Sequence, residues 1–220
     1  MFSEFFVSKT INPLSPSMNV GEALKHLRKF YLEMLPVVEN DVLVNYALIQ
    51  DLESLPKETK LGYLNKYSTV MPFVSPEQHI LDVLSHLKSL NLSLLAFLNQ
   101  DKKYIGFIKT KDVVMELSQS MTIIGQGSIV VVRMNKSDFS VADIVRIVEY
   151  NDVKVLGFLT FDKPEFEAIE VHLKLNTRVL RNVLATLERY NYNVVEYFNR
   201  EDINDDNGWR YENLLKYIDL

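Results

Sequence analysis

The side chains best suited to chemistry stand together in one short segment, "KTKD" at residues 109–112, directly after the apolar run "YIGFI". Lys109 supplies a compact positive charge of the kind that binds phosphate, and Thr110 supplies a hydroxyl group. Asp112 offers two carboxylate oxygens, which suit the paired hydroxyl groups of a cis-diol. The same segment also suits a strand-to-helix turn, in which aspartate caps the helix. The sequence therefore leaves two interpretations of "KTKD" open, a ligand site and a turn.

The elements that position this segment belong to an internal repeat. The stretch "LSPSMNVGEALKHLRKFYLEMLPVVEN", which begins at Leu14, aligns without a gap on "VSPEQHILDVLSHLKSLNLSLLAFLNQ", which begins at Val74, at an offset of 60 residues. A single later insertion brings Asp51 opposite Asp112. Repeats of this kind are copies of one supersecondary unit, so the aspartate of "KTKD" has a counterpart in the first repeat.

Each repeat begins with a turn and an amphipathic helix. A Ser-Pro step marks the turn, because proline disfavours helical conformation in the residue before it. In the first repeat, Asn19 and Glu22 have the spacing of a helix capping box. The predicted apolar faces of the two helices are Val20, Ala23, Leu24, Leu27 and Tyr31 in the first repeat and Ile80, Val83, Leu84, Leu87 and Asn91 in the second.

Two apolar strands and a short helix complete each repeat and give it the order βαββα. The predicted strands are "LPVVEN" and "NYALIQ" in the first repeat and "SLLAFLNQ" and "YIGFIKT" in the second, and the predicted helices are "DLESL" and "KDVVMEL". Since neither repeat buries its apolar faces alone, the two are expected to pack on each other about a pseudo-twofold axis.

A different pattern begins after Gln119. The "GQG" at residues 125–127 is a hinge signal, and it is not a dinucleotide-binding loop because a strand rather than a helix follows it. The predicted elements are the strand "SIVVVRM", a helix from Ser140, the strands "KVLGFLTF" and "FEAIEVHLKL", a helix from Thr177 and the strand "NVVEYF". The inward faces of these helices are predicted to be Val141, Ile144, Val145 and Val148, and Leu180, Val183, Leu184 and Leu187. This βαββαβ order is the ferredoxin-like pattern.

The tandem repeat resembles a pair of cystathionine-β-synthase (CBS) domains. The resemblance rests on the Ser-Pro turn and on the segments "VGEAL", "LPVVEN" and "GFIKTKD". The second half resembles an ACT domain, a small regulatory module, and the whole order is similar to that of AcuB-like acetoin utilisation proteins. The predicted fold class is therefore α+β, with tandem βαββα repeats that form a CBS pair and a following ferredoxin-like, ACT-like domain. The expected boundaries are 1–60 and 61–122 for the CBS repeats, 128–199 for the ACT-like domain, and 200–220 for an acidic link and terminal helix.

The resemblance implies a ligand site around "GFIKTKD". In CBS pairs a hydroxyl side chain three residues after the glycine lies near ligand phosphate or sugar, and an aspartate six residues after it accepts hydrogen bonds from ribose. Gly106 and Asp112 match this pattern. Lys109 takes the hydroxyl position and Thr110 comes one residue late, which on a strand turns a side chain to the other face.

The first repeat departs further from this pattern. Alignment on Asp51 places Asn45 at the glycine position and Leu48 at the hydroxyl position, so that only the carboxylate remains. The implied ligand-binding residues are Gly106, Lys109, Thr110, Asp112 and Asp51. The alternative is that both aspartates only cap the helices they precede.

The function implied by the resemblance is that of a non-catalytic regulatory sensor. It would bind an adenine nucleotide or a related ligand between the CBS repeats, with AMP, ADP, ATP or S-adenosylmethionine as the regulatory molecule and no catalytic cofactor. The change would pass to a regulated protein partner or to the second subunit of a homodimer, since twofold pairing is the commonest form of assembly. The competing hypothesis is a structural protein–protein interaction module whose CBS clefts are degenerate and hold no small ligand.

The ACT-like half departs from its family at the loop between first strand and first helix. ACT domains place an aspartate and a Pro-Gly step there, so that backbone amides approach an amino acid. Here the loop is "NKSDFS", with Asp138 but no glycine. A loop without glycine brings its backbone less close to a ligand, which favours sheet-to-sheet pairing over amino-acid binding in this half.

Composition narrows the classes of partner. The 220 residues carry a net charge of −5 and contain no cysteine. The charge does not favour nucleic-acid partners, and the lack of cysteine excludes disulfides, thiolate metal sites and a cysteine nucleophile. Neither a secretory leader nor a membrane-spanning stretch is indicated, so we expect a cytoplasmic protein.

Other candidate sites are weaker. From Asp202 the segment "DINDDNGWRYEN" begins like a calcium loop, but its Gly208 and Glu212 each miss the required position by one residue, so a solvated link is favoured. His26 and His86 occupy matched positions, yet no carboxylate pattern supports a metal site around them. No hydrolase or phosphate-loop motif appears, so no enzyme activity is expected.

Overall fold

The computed structural model describes residues 3–67 and 71–199, and the chain divides into two compact units, one ending at Leu117 and the other beginning at Ser118. The elements of the first unit are α1 (Val20–Lys29), β1 (Met34–Glu39), β2 (Val42–Leu48), α2 (Ile49–Leu52), β3 (Phe73–Val74), α3 (Ile80–Leu90), β4 (Leu94–Leu98), β5 (Tyr104–Lys109) and α4 (Thr110–Leu117). Those of the second are α5 (Met121–Ile124), β6 (Ile129–Asn135), α6 (Val141–Glu149), β7 (Val155–Lys163), β8 (Ala168–Leu175), α7 (Arg181–Arg189) and β9 (Asn193–Phe198).

The predicted fold class is confirmed, and the two repeats match in detail. In the second repeat, β3 pairs in parallel with β4, which pairs antiparallel with β5. In the first repeat, the opening strand is reduced to a single parallel bridge from Leu14 to Val37 ahead of the β1–β2 pair. Pro13 stands at the position that matches Phe73 of β3.

A β-bulge recurs at the same place in each repeat. The register shifts between Val37 and Val38 in the first repeat and between Phe97 and Leu98 in the second. Each shift leaves one extra residue in the strand that leads to the candidate site, β2 or β5. Bulges increase the local twist and re-aim the side chains that follow, and each candidate segment follows such a bulge.

The buried faces of α1 and α3 agree with the prediction except at the helix ends. The capping box is confirmed: Glu22 N donates to Asn19 Oδ1, and Asn19 N donates to Glu22 Oε2, both at 2.9 Å. Tyr31 was wrongly placed on the apolar face of α1, because the helix ends at Lys29 and Tyr31 is 96% exposed with φ 54°. Asn91 is likewise the left-handed C-cap of α3, a conformation that asparagine tolerates.

The core of the first unit draws on both repeats. One cluster joins Leu24, Leu27 and Leu35 of the first repeat to Leu94 and Phe107 of the second. All five side chains are almost completely buried. Each repeat therefore supplies apolar area that the other covers, as the sequence predicted, and this shared core positions the candidate residues between the repeats.

The second unit is a four-stranded antiparallel sheet of order β7-β8-β6-β9, whose apolar side packs against α6 and α7. This is the predicted ferredoxin-like pattern, and Ser140 caps α6 as expected. In α6 the buried face includes Ile147, which the prediction omitted, while Val145 is only half-buried. Helix α7 begins at Arg181 instead of Thr177, because the Thr177 hydroxyl accepts a hydrogen bond from Val179 N and holds a turn.

The "GQG" segment forms a tight turn at the entry to β6. Gly127 has φ 133°, which side-chain-bearing residues rarely adopt, and a Cβ there would collide with the carbonyl oxygen of Leu175. A short helix, α5, precedes the turn and was not predicted. The calcium-loop and terminal-helix predictions for residues 200–220 lie outside the described residues.

Candidate functional site

A cavity of about 460 Å³ in the first unit lies at the candidate site of the first repeat. Asn45, Leu48 and Asp51 all line it. These are the three positions that align with the glycine, hydroxyl and aspartate positions of the "GFIKTKD" pattern. The volume falls in the usual range for small-molecule sites.

Both repeats contribute the apolar walls of this cavity. Leu52 and Leu55 follow Asp51 in the first repeat, and Leu90 and Leu92 belong to the second. Pro72, which immediately precedes β3, completes the contact with the second repeat. A molecule in the cavity would touch both repeats at once.

Tyr46 connects the cavity wall to the second repeat. Its hydroxyl donates to the Pro72 carbonyl oxygen at 2.6 Å and accepts from Ala96 N at 2.8 Å. Burial raises the pKa of Tyr46 well above its usual value of 10. The matched residue in the second repeat is Phe107, which has no hydroxyl, so this bridge exists on one side only.

Asp51 presents an unpaired carboxylate to the cavity. It is the third residue of α2, whose N-cap is Leu48, and no side chain caps that helix. The capping interpretation of Asp51 is therefore wrong. Its side chain is exposed, and within residues 3–67 and 71–199 the carboxylate makes no hydrogen bond or ion pair. An aspartate in this state is an available acceptor for two donor hydroxyl groups.

The candidate residues of the second repeat pair with one another. Lys109 Nζ lies 3.3 Å from Asp112 Oδ2, and both side chains are about one-third exposed. The Thr110 hydroxyl donates to the Leu92 carbonyl oxygen at 3.3 Å, and Thr110 N donates to Ser93 O at 2.9 Å. Thr110 is the first residue of α4, so "KTKD" turns the chain from strand to helix and satisfies its own polar groups as it does so.

Gly106 contacts the chain's own N-terminal segment. Ser8 N donates to Phe107 O at 2.8 Å, and Phe107 N donates to Ser8 O at 3.2 Å, so Ser8 extends the sheet beside β5. A Cβ at position 106 would lie 2.5 Å from Ser8 O and 2.7 Å from Val7 Cγ1. The close approach that requires a glycine here is therefore made by the N-terminal segment.

The five predicted ligand-binding residues thus fall into two places. Lys109, Thr110 and Asp112 lie together at the end of β5 and the start of α4, and Gly106 lies in β5 three residues before Lys109. Asp51 lies in the cavity of the first repeat. Sequence reasoning missed Tyr46. The signal that points to it is a tyrosine in the first repeat where the second has phenylalanine.

A second cavity, of about 520 Å³, lies in the second unit. The loop residues Asn135 and Asp138 line it, and the Asp138 carboxylate accepts hydrogen bonds from Asn135 Nδ2 at 3.1 Å and from Ser137 Oγ at 3.0 Å. Arg133, also in the lining, pairs with Glu170 at 2.7 Å. The glycine-free loop therefore borders a polar cavity.

Glu170 lies within ion-pair distance of two cationic side chains of the second unit. Its carboxylate accepts hydrogen bonds from Arg133 and lies 3.2 Å from Lys163 Nζ. The Arg133 guanidinium holds the pKa of Glu170 below its usual range, and Lys163 adds to this effect. The guanidinium also lies 4.2 Å from the centre of the Phe166 ring, a cation–π contact.

The matched histidines make local contacts. His26 Nε2 donates to the Asn12 carbonyl oxygen at 3.2 Å, and His86 Nδ1 lies 3.5 Å from Gln78 Nε2. Across the part of the chain that the structure describes, no group of three or more histidine, aspartate or glutamate side chains is arranged to hold a metal ion. None of the described helices has the length and apolar character needed to cross a membrane.

Comparisons with known proteins gave matches among solved structures only. No family model matches the chain, and no curated protein does. Solved structures do match, and they include CBS domain pair proteins, among them one with an ACT domain. The CBS domain pair/ACT domain protein of Thermotoga maritima is 19% identical with a TM-score of 0.49, over 55% of this chain and 99% of that one.

Two further solved structures show the same range of similarity. Protein MJ1004 of Methanocaldococcus jannaschii is 17% identical with a TM-score of 0.50, over 56% of this chain and 62% of that one. CBSX2, whose structure is a complex with AMP, is 20% identical with a TM-score of 0.47, over 54% of this chain and 96% of that one. Identities this low carry no functional residue across.

Proposed function

We propose that this protein is a non-catalytic regulatory sensor that binds an adenine nucleotide or a related adenosine compound between its two CBS repeats. The observation that carries the proposal is the cavity of about 460 Å³ that both repeats line, with the unpaired carboxylate of Asp51 at its edge. Apolar walls with one well-placed acceptor suit a flat base attached to a sugar diol. The adenine base itself is inferred from the resemblance of the tandem repeat to CBS pairs.

The arrangement of the cavity provides a route from binding to regulation. Leu52 and Leu90 come from different repeats and face the same space, and Tyr46 ties the cavity wall to Pro72 and Ala96. A ligand that contacts both repeats favours the arrangement in which the two lie close. Such a ligand shifts the population of arrangements by its difference in affinity for them.

A specific observation favours the competing hypothesis, an interaction module without a small ligand, at the second repeat. There Lys109 and Asp112 pair with each other, Thr110 donates to the main chain, and the N-terminal segment covers Gly106. Both hypotheses place the function in contacts with a protein partner or a second copy of the chain. They differ in whether the first repeat holds a ligand.

The remaining parts of the proposal concern assembly and context. The chain acts without a catalytic cofactor, as a homodimer in the cytoplasm, and regulates a partner protein in the manner of AcuB-like proteins. Size-exclusion chromatography with light scattering tests the dimer directly. Assays of the pure protein for turnover of acetoin test the non-catalytic part, and measurable turnover would contradict it.

A thermal-melt screen tests the sensor proposal. The pure protein is melted with adenosine, AMP, ADP, ATP, S-adenosylmethionine, NAD, cyclic dinucleotides and a set of amino acids. A ligand at about 100 times its dissociation constant adds roughly 2.7 kcal/mol, which raises the midpoint by a few degrees. We expect such a shift with at least one adenine compound, and the absence of a shift with all of them would favour the interaction module.

Two variants locate the site. Asp51→Asn should abolish most of the shift because it removes the acceptor charge at the cavity while preserving side-chain volume. Asp112→Ala separates the two repeats: loss of the shift in this variant alone would place the ligand at the second repeat, as "GFIKTKD" predicts. Glu58→Gln is the matched control, since Glu58 is an exposed carboxylate seven residues beyond Asp51 that does not line the cavity.

A further inference from the structure

We propose that residues 209–220 dock, as a short helix of the same chain, on the outer face of the sheet in the second unit. The outer face is the side of this sheet that points away from α6 and α7. The inference concerns a surface outside the proposed ligand site, so it does not depend on the ligand. It rests on the apolar side chains of that face, on the point where the chain leaves β9 and on the sequence that follows.

The strand register defines the outer face. The inward side chains, which pack with those of α6 and α7, include Val132, Val171 and Leu173. Because side chains alternate along a strand, the neighbours of these residues point to the opposite side of the sheet. The outer face therefore includes Leu159 and Phe161 of β7, Glu170 of β8, Arg133 of β6 and Phe198 of β9.

Large apolar side chains are exposed on this face. Leu159 is 52% exposed, Phe161 is 44% exposed, and Phe166, in the turn after β7, is 55% exposed. The Phe166 ring belongs to the same surface, because its centre lies 4.2 Å from the Arg133 guanidinium. The solvated side of an antiparallel sheet normally carries polar side chains. Neighbouring apolar side chains that are exposed together indicate an interaction site.

A helix of the chain already packs on one end of this face. Gly157 of β7 lies on the outer face two residues before Leu159, and a Cβ at Gly157 would collide with the Thr122 side chain of α5. The glycine therefore lets α5 approach the strand closely. Beyond α5, the side chains of Leu159 and Phe161 stay exposed. The sheet thus accepts a short helix on this side and has room for another.

The chain leaves the sheet at a point from which residues 209–220 can reach these side chains. Phe198, the last residue of β9, points to the outer face. Asn199 then fixes the exit of the chain, because its Oδ1 accepts a hydrogen bond from Ser128 Oγ at 3.3 Å. Residues 200–208 can span up to about 30 Å. Since β9 and β7 are three strand spacings apart, or about 14 Å, this link is long enough to cross the sheet.

The sequence of residues 209–220 suits an apolar surface. Tyr211, Leu214, Leu215 and Ile218 have the i, i+3, i+4, i+7 spacing of one face of a helix. A helix of this length is not stable alone in water, so it needs a surface that covers its apolar face. The exposed side chains of the sheet provide such a surface within the same chain.

Charge favours this segment over a second copy of the sheet as the occupant. Across β6, β7 and β8 the outer face carries three cationic side chains, Arg133, Lys163 and Lys174, and one carboxylate, Glu170. Residues 200–208 carry four carboxylates and one arginine. The acidic link is therefore attracted to the face, whereas two copies of the face would bring excess positive charge together.

Docking would give the second unit a covered and an uncovered state. While residues 209–220 lie on the outer face, the sheet cannot pair through that face with another protein. Release of the segment exposes Leu159 and Phe161 to a partner. The outer face is then a partner surface that a segment of the same chain occupies first.

Disulfide crosslinking tests the contact, because the chain has no cysteine of its own. The full chain carries Leu159→Cys together with Leu215→Cys, and non-reducing gels follow the rate of disulfide formation under mild oxidation. The matched pair is Tyr150→Cys with Leu215→Cys, since Tyr150 is 80% exposed and follows α6, on the opposite side of the sheet. We expect the first pair to crosslink within one chain about tenfold faster than the second, because docking raises the effective concentration of one cysteine at the other.

Two results of this experiment would overturn the inference. Equal rates for the two cysteine pairs would show that residues 209–220 have no preference for the outer face. Disulfides that join two chains through Leu159→Cys and Leu215→Cys would show that the segment docks on a second copy. The two products are distinguishable, because only the second doubles the mass on the gel.

A further substitution in the crosslinking protein tests the apolar contact. Leu214→Asp places a charge on the predicted helix face and should slow the Leu159→Cys/Leu215→Cys crosslink to the rate of the Tyr150→Cys pair. Asn213→Asp adds the same charge off that face and should leave the rate unchanged. A rate that Leu214→Asp does not lower would contradict docking through this helix face. Leu159 and Tyr150 are exposed, so melting midpoints near that of the wild type are expected for all these variants.

Discussion

Removing the hydroxyl of Tyr46 should loosen the contact between the two repeats. That hydroxyl donates to Pro72 O at 2.6 Å and accepts from Ala96 N at 2.8 Å. Tyr46→Phe leaves both backbone groups without this partner in a region shielded from water. Two lost hydrogen bonds, together with the penalty for unpaired groups, amount to about 2–3 kcal/mol of unfolding free energy.

Thermal and urea unfolding both measure this loss of unfolding free energy. In a domain of this size a loss of that order lowers the melting midpoint by about 5–10 °C, and the urea midpoint should fall without a change in slope. The matched control is Tyr31→Phe, since Tyr31 is in the same unit and 96% exposed. Its effect should stay within about 0.5 kcal/mol. A Tyr46→Phe protein as stable as this control would refute the role assigned to the bridge.

The same hydroxyl makes a prediction for alkaline pH. Burial raises the pKa values of Tyr46 and Tyr104 above 10 in the folded chain. Above about pH 10 the unfolded chain loses these protons while the folded chain keeps them, so stability falls by about 1.4 kcal/mol per pH unit for each tyrosine. The stabilisation is complete below that pH. Tyr46→Phe should therefore lose stability less steeply than wild type between about pH 9.5 and 11, as urea midpoints across that range would show.

Two further predictions concern buried contacts elsewhere. Glu170→Gln should lower the unfolding free energy of the second unit by about 1–2 kcal/mol, a modest loss because Arg133 and Lys163 are about one-third exposed to solvent. Since the folded state lowers the pKa of Glu170, the loss should be complete near neutral pH and should fade in acid. Urea unfolding at neutral and at acidic pH measures the difference. Gly106→Ala should cost about 1–3 kcal/mol because its methyl group would displace Ser8, and faster amide exchange at Ser8 would confirm the cause.

The architecture could be predicted from the sequence because it depends on patterns that repeat. The offset of 60 aligned Val20 with Ile80, and those residues begin α1 and α3 in the structure. Periodicity identified most buried faces, since a helix buries residues three and four apart. Errors concentrated at helix ends. Tyr31 and Asn91 continue the spacing, but both have positive φ and lie past the last turn.

The candidate site was predicted only in part. Local spacing placed Lys109 and Asp112 in one short segment, and in the structure the two side chains pair with each other. It gave no sign that Gly106 is covered by Ser8, because that contact joins residues 98 positions apart in the chain. Long-range contacts of this kind depend on tertiary packing and leave no local pattern.

The cavity itself is a product of packing between repeats. It forms where Leu90 and Leu92 of the second repeat meet the end of β2, and the sequence of either repeat alone does not reveal it. The prediction therefore favoured the repeat whose motif was more complete. The structure places the open space beside Asp51, where the motif retains only its carboxylate.

A crystal structure of the protein soaked with adenosine tests the central claim most directly. The account predicts adenosine in the first-repeat cavity, with its ribose hydroxyl groups within hydrogen-bond distance of the Asp51 carboxylate and its base against Leu90 and Leu92. Adenosine bound beside Lys109 and Asp112 would contradict the location of the site. An unchanged, ligand-free cavity in crystals soaked well above the dissociation constant measured in solution would contradict the claim that this cavity is where the protein senses its ligand.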